Sequence, residues 1–243
     1  MTWKNRLKMF LGTVVVFVLV AGMTVIFNQR QAQVTSASAA IEAERYPVGS
    51  DYGGTVLDRE VSEGDRVAAG DVLFRVQSPT LQADLAEGLL RPETVAYAVT
   101  PDGVMTLTAT VDGTVGDITA ERGSFVQAGQ ILATIDRTGS LFVSADFVLS
   151  SRDYARIEDG AAVELVLPNQ SRISGQVESI DVQTSDGLAE TTVTVSSEGL
   201  VDGAANNLMT RGTPVSATLL LRDDGPLAGV GDGFFDFMRK IGL

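Results

Sequence analysis

Residues 54–76, GTVLDREVSEGDRVAAGDVLFRV, align without a gap on residues 113–135, GTVGDITAERGSFVQAGQILATI. Nine of the 23 positions are identical at a constant offset of 59 residues. Agreement of that density at one offset marks a duplicated structural unit. Three of the nine shared positions are glycines. Gly54 and Gly113 open the two Gly-Thr-Val starts, and Gly64 with Gly123, then Gly70 with Gly129, stand where the chain has to turn. All six are read as turn residues of the repeat, because glycine reaches φ > 0 without a Cβ penalty. Between the turns Val67 and Val126 mark one short strand, and Val72, Leu73, Phe74 and Val76, matched by Ile131, Leu132 and Ile135, mark the next. Each unit therefore has a few short strands with one apolar face. Neither can bury that face alone, so the two are expected to pack as a sandwich.

The pattern G-x-V…G-D-x-V-x-x-G-D-x-L-x-x-[VI] resembles the half-motif of biotinyl/lipoyl domains. In that family carrier domains bear their cofactor on a lysine between the halves, whereas the haemolysin-D-like membrane fusion proteins, or periplasmic adaptors, use the sandwich without a cofactor. Here lysine occurs only at Lys4, Lys8 and Lys240, far from the repeat. The resemblance thus implies the adaptor class and no cofactor. The spacer of 36 residues, Gln77 to Asp112, replaces the tight hairpin of a carrier. Thr80–Glu87 makes about two helical turns with Leu81 and Leu85 at i, i+4. Gly88 and Pro92 end that helix, and strands over Thr94–Thr100 and Val104–Thr110 flank the turn Pro101-Asp102-Gly103. No long coiled-coil hairpin fits in this spacer.

Outside the repeat, the N-terminus is the most distinctive stretch. Phe10 to Phe27 reads FLGTVVVFVLVAGMTVIF with no charge. Its eighteen residues span about 27 Å as a helix, close to the hydrocarbon thickness of a bilayer. Lys4, Arg6 and Lys8 precede it and only Arg30 follows closely. The positive-inside rule then puts the N-terminus in the cytoplasm and the body outside the cell membrane. A cleaved signal peptide ending near Ala37-Ser38-Ala39 is the rival reading, but that site lies ten residues beyond an apolar run already longer than a usual signal core. Beyond residue 30 there remain 14 basic and 31 acidic side chains, a body that repels nucleic-acid phosphate.

After the repeat, strand patterns recur at Leu141–Phe147, Ala162–Leu167, Ile173–Val182, Ala189–Ser196 and Pro214–Leu221, with a short helix at Arg152–Glu158. This order resembles the small β-barrel that follows the lipoyl-like module in membrane fusion proteins. The tail ends in FFDFMRKIGL, where Phe234, Phe235, Phe237, Met238 and Ile241 gather apolar surface. A short helix packed on the barrel and a contact with a partner or the membrane interface both fit it. The expected fold is mainly β: cytoplasmic tip and transmembrane anchor at 1–29, flexible stalk at 30–45, lipoyl-like sandwich at 46–138 with a short insertion at 77–103, β-barrel at 139–222, and a Gly-rich lead with a short helix at 223–243.

No catalytic constellation emerges. The chain has neither cysteine nor histidine, which closes the usual zinc ligand sets and every His-based triad. Its Asp-Gly pairs are hairpin-turn chemistry without the spacing of a calcium loop. Asn169-Gln170-Ser171 is a glycosylation sequon by spelling only. The resemblance implies a non-enzymatic adaptor subunit of an export or efflux transporter of ABC type. Its implied partners are permease and ATPase subunits in the membrane and further copies of itself. An extracytoplasmic structural or sensory protein that uses the sandwich for protein contacts is the alternative.

Overall fold

The computed structural model describes residues 32–91, 97–185 and 188–222, together with Phe10, Gly12, Thr13, Val16 and Val20, which are helical. The rest of the apolar run at 10–27 lies outside the described residues, as does the tail with Phe234, Phe235, Phe237, Met238 and Ile241. No helix among the described residues is long and apolar enough to cross a membrane.

In chain order the elements begin with strands β1 (Gln33–Thr35), β2 (Ser38–Glu42), β3 (Arg45–Gly49), β4 (Gly54–Arg59), β5 (Arg66–Val67) and β6 (Val72–Gln77). Helix α1 (Pro79–Ala86) precedes β7 (Ala98–Val99), β8 (Val104–Thr108), β9 (Gly113–Ile118), β10 (Phe125–Val126) and β11 (Ile131–Arg137). Then come β12 (Phe142–Leu149), helix α2 (Ser151–Tyr154), β13 (Ala162–Val166), β14 (Arg172–Ser185), β15 (Leu188–Ser196), helix α3 (Ala204–Asn207) and β16 (Ser216–Leu220). The chain divides into two compact units, one holding Glu42–Leu141 with Val201–Arg211 and the other the remainder.

The first of these units is a sandwich of a five-stranded sheet, β10-β4-β6-β8-β7, and a four-stranded sheet, β3-β11-β9-β5. The two sequence halves exchange their short strands: β10 of the second pairs with β4 of the first, and β5 of the first pairs with β9 of the second. The registers match at the offset of 59, since Val67 faces Gly113 as Val126 faces Gly54. Loop hydrogen bonds obey the same relation. The Gly64 N–H donates to the Val115 carbonyl at 2.8 Å and the Gly123 N–H to the Val56 carbonyl at 2.8 Å. Likewise the Gly70 N–H reaches Ala109 O at 2.8 Å and the Gly129 N–H reaches Ser50 O at 2.7 Å. Exchange makes each half incomplete without the other. Val56, Val76, Leu73 and Phe74 share one core with Val115, Leu132 and Ile135, all at or below 2% exposure. Each such aliphatic side chain contributes about 1.5–3 kcal/mol by leaving water.

The other unit is a β-barrel. Its sheet runs β1-β16-β13-β14-β15-β12-β2. Closure comes from the far side of β2, where the Ile41 N–H donates to Thr213 O at 2.9 Å and the Gly212 N–H to Ile41 O at 2.8 Å, beside an Ala40–Pro214 bridge. Inward positions alternate as a half-buried strand requires: Val143, Ala145, Phe147 and Leu149 from β12, Val163 and Leu165 from β13, Val193 and Val195 from β15, Ala217 and Leu219 from β16.

Three expectations need correction. The stretch at 30–45 is not a flexible stalk, because Gln33–Thr35 and Ser38–Glu42 are barrel strands. Their small, polar composition resembles a linker's, yet β1 finds its register on β16, far along the chain, from Gln33↔Leu220 to Thr35↔Thr218. The barrel is not continuous over 139–222 either, since Val201–Arg211 belongs with the sandwich. The helix expected at Arg152–Glu158 stops at Tyr154. There the chain bends to bury Arg156, whose Nε–H donates to the Arg222 carbonyl at 2.8 Å.

Candidate functional site

In a carrier of this fold the reactive amine would sit between the halves, so the spacer is the place to look. Ser78 is extended, as a residue before proline is driven to be, and its Oγ accepts from the Leu81 N–H at 3.2 Å. Pro79 occupies the first turn of α1, where no N–H is needed. One turn on, Leu81 is fully buried in the sandwich core. Gly88, at φ +72°, ends the helix: the Leu89 N–H donates to Asp84 O at 2.9 Å and the Gly88 N–H to Leu85 O at 3.2 Å, a Schellman closure. At the return, the Ser78 N–H donates to the Gly103 carbonyl at 2.9 Å, and a Cβ on Gly103 would stand 2.6 Å from Ser78 O. Where a carrier presents a free arm, this chain packs a capped helix into the core.

Two tyrosines secure the base of the spacer. The Tyr52 hydroxyl donates to Asp84 Oδ2 at 3.2 Å. Partial burial raises the Tyr52 phenol above its usual value, and that hydrogen bond and charge add to the shift. Burial, then the charge of Asp51 and the neighbouring Tyr52, push Tyr97 up to about 12. Both phenols therefore stay protonated at neutral pH and act as donors. Neither is a nucleophile there.

The six glycines read as turn residues divide into two kinds. Gly64, Gly70, Gly123 and Gly129 are turn residues at φ +87°, +96°, +82° and +79°. Gly54 and Gly113 are instead the first residues of β4 and β9, and a Cβ there would collide with the backbone carbonyl of Gln77 or of Asp136. Their glycine serves close strand approach, which the Gly-Thr-Val spelling could not separate from turning.

Elsewhere on the sandwich an open depression of about 500 Å³ is lined by Glu60, Asp65, Arg66, Asp71 and Arg75 among others. Its charges are largely engaged. Asp65 and Asp71 accept from the Ser62 and Ala68 N–H groups at 2.7 and 2.8 Å, and Arg75 lies 3.4 Å from Glu60. No group of three acidic side chains fit to hold a metal ion occurs among the described residues. A polar cluster that sequence reading missed lies at the other sheet. Arg211 places Nε 3.1 Å from Asp136 Oδ2 and Nη2 3.2 Å from Asp117 Oδ2, and Arg45 approaches Asp117 at 3.8 Å. Nothing local connects residues so far apart in sequence.

Comparison with known proteins bears on the sandwich and on the fold as a whole. Residues 44–139 match the family model described as the barrel-sandwich hybrid domain of RND membrane fusion proteins. Curated protein sequences give no match. Among solved structures, ZneB from Cupriavidus metallidurans superposes with a TM-score of 0.57 at 16% identity, covering 78% of this chain and 98% of that one. A MacA–MexA chimera carrying the Pseudomonas aeruginosa MexA α-hairpin domain gives 0.57 at 16% identity, over 79% and 83% of the two chains. The membrane fusion protein Spr0693 from Streptococcus pneumoniae R6 gives 0.50 at 17% identity, over 76% and 98%. At such identities the structures speak for the fold, a mainly β chain with few helices. Residues 44–139, with their exchanged halves and a spacer without lysine, thus form a domain similar to the barrel-sandwich hybrid of RND membrane fusion proteins.

Proposed function

We propose that the chain is a non-enzymatic, membrane-anchored adaptor subunit of an efflux or export transporter. The observation that carries the reading is the matched sandwich whose spacer is packed down and free of lysine, which removes the carrier chemistry of the fold and leaves protein contact. The apolar run at 10–27 supports an anchor with the N-terminus in the cytoplasm and both β units outside. Only 26 residues separate β6 from β8, and α1 takes eight of them, which supports an adaptor without a long coiled-coil hairpin. The matched domain description names RND systems, so an RND-type permease is the first partner to test, ahead of the ABC type that the sequence resemblance suggested. Further copies of the chain are the second class of partner.

Affinity purification of the full chain from its own membranes in mild detergent, with mass spectrometry, tests the reading. Recovery of a permease, with or without an ATPase, together with loss of an export phenotype on gene deletion, is the expected result. Recovery of no transporter subunit and an unchanged export profile would overturn it in favour of a structural or sensory envelope protein.

A further inference from the structure

Residues 201–211 leave the barrel strands, lie with the sandwich unit, and return. Their backbone is unusual. After Gly203 at φ +72°, three consecutive residues with side chains, Ala205, Asn206 and Asn207, take φ +53°, +59° and +64°. The left-handed region crowds Cβ against the following carbonyl, and asparagine tolerates it better than alanine does. Such strain persists only where surrounding contacts over-determine it.

Polar contacts hold this segment. The N–H groups of Gly203, Ala204, Asn207, Leu208 and Met209 all donate to carbonyls within the segment itself. No residue from Val201 to Arg211 is fully buried, although Leu208 and Met209 are half-buried. Side chains near the segment's two ends fasten it. Asp202 Oδ2 accepts from the Gly139 N–H at 2.6 Å, and the Arg211 guanidinium bridges Asp136 and Asp117 at 3.1 and 3.2 Å. A segment that bonds internally, buries no side chain fully and is fastened by charge has a lower local opening energy than the core strands.

We propose that residues 201–211 form a strained latch on the sandwich, with Arg211 as its catch, which opens and closes without unfolding the core. The left-handed turn biases the latch toward opening, and the bridge to Asp136 and Asp117 holds it shut. The two act at separate residues, so substitutions move the equilibrium in opposite directions. Arg211→Gln removes the bridge and favours opening. Ala205→Gly removes most of the left-handed cost and favours closure, because glycine takes this conformation readily.

Native-state hydrogen exchange on the full chain, read by mass spectrometry, tests the proposal. The amides of 203–209 are expected to exchange while β9 and β11 stay protected. Arg211→Gln should accelerate the latch amides about ten-fold or more, the scale of a lost charge-assisted hydrogen bond, with β9 and β11 unchanged. Ala205→Gly should slow the same amides about three-fold. Should the latch amides exchange only at the rate of β9 and β11, or should either variant move them in the opposite direction or not at all, the latch is excluded. The Ala205→Gly measurement stands even if the Arg211 variant fails to fold.

Discussion

The two halves of the sandwich share a backbone and nine of 23 aligned residues, yet they finish their turns, core and surface differently. At matched positions the Ser62 N–H is accepted by Asp65 Oδ2 at 2.7 Å and the Glu121 N–H by Ser124 Oγ at 3.2 Å. The next turn repeats the substitution, with Asp71 taking the Ala68 N–H at 2.8 Å and Gln130 taking the Gln127 N–H at 2.9 Å. A carboxylate, a hydroxyl and an amide serve the same purpose because the turn needs only a short acceptor three residues on. Inside, the shared core draws Phe74 from one half and Ala133 from the other, so the halves supply unequal volume to a common interior. Outside, Arg66 of one half corresponds to Phe125 of the other, which is 68% exposed. Geometry is held by a few positions, and the rest are free to build two different surfaces.

Substitutions at matched positions can break or sharpen that comparison. The largest effect belongs to the unequal core pair. Phe74→Ala should cost about 3–5 kcal/mol of unfolding free energy in denaturant titrations, because its fully buried ring leaves a cavity. Next come the close-approach glycines. Gly54→Ala and Gly113→Ala should each cost about 2–3 kcal/mol by overpacking against a backbone carbonyl, and nearly equally. A clear inequality between them would show that the matched geometry hides different tolerance. Gly64→Ala and Gly123→Ala meet no atom within 4 Å and pay only for φ, about 1–2 kcal/mol each. Exchanging the exposed pair, Arg66→Phe with Phe125→Arg, should leave stability within about 0.5 kcal/mol of the parent.

A pH-dependent effect is predicted at the spacer. Tyr97 has a folded pKa of about 12 against an ordinary value of 10.0, so between these values the folded state binds more protons than the unfolded. Stability therefore falls as pH rises through that window, and is unaffected by this group below it. Chemical denaturation from pH 9 upward should show the decline, and Tyr97→Phe should make it shallower, with the raised Tyr52 phenol supplying the remainder.

The same comparison explains what could be read from sequence. Repeat strands and turns were legible because identity at one offset and alternation within each strand are local signals. Barrel strands such as Phe142–Leu149 were visible for the second reason alone. The strands Gln33–Thr35 and Ser38–Glu42 were not, because small side chains give no alternation and their partners lie far along the chain. The return of 201–211 to the sandwich was equally silent, since it rests on Arg211 meeting carboxylates at 117 and 136. Of the candidate site, the missing lysine was plain from composition. The distinction between turning and crowding glycines needed the neighbouring strand.

Contact with a membrane transporter, in place of carrier chemistry, is the central claim. Chemical crosslinking of the full chain in its native membranes, resolved by mass spectrometry, tests it most directly. The account predicts crosslinks from the sandwich or barrel to a transporter permease, and a chain of unmodified mass. Crosslinks to no transporter subunit, or a mass increase matching a biotinyl or lipoyl group, would contradict it.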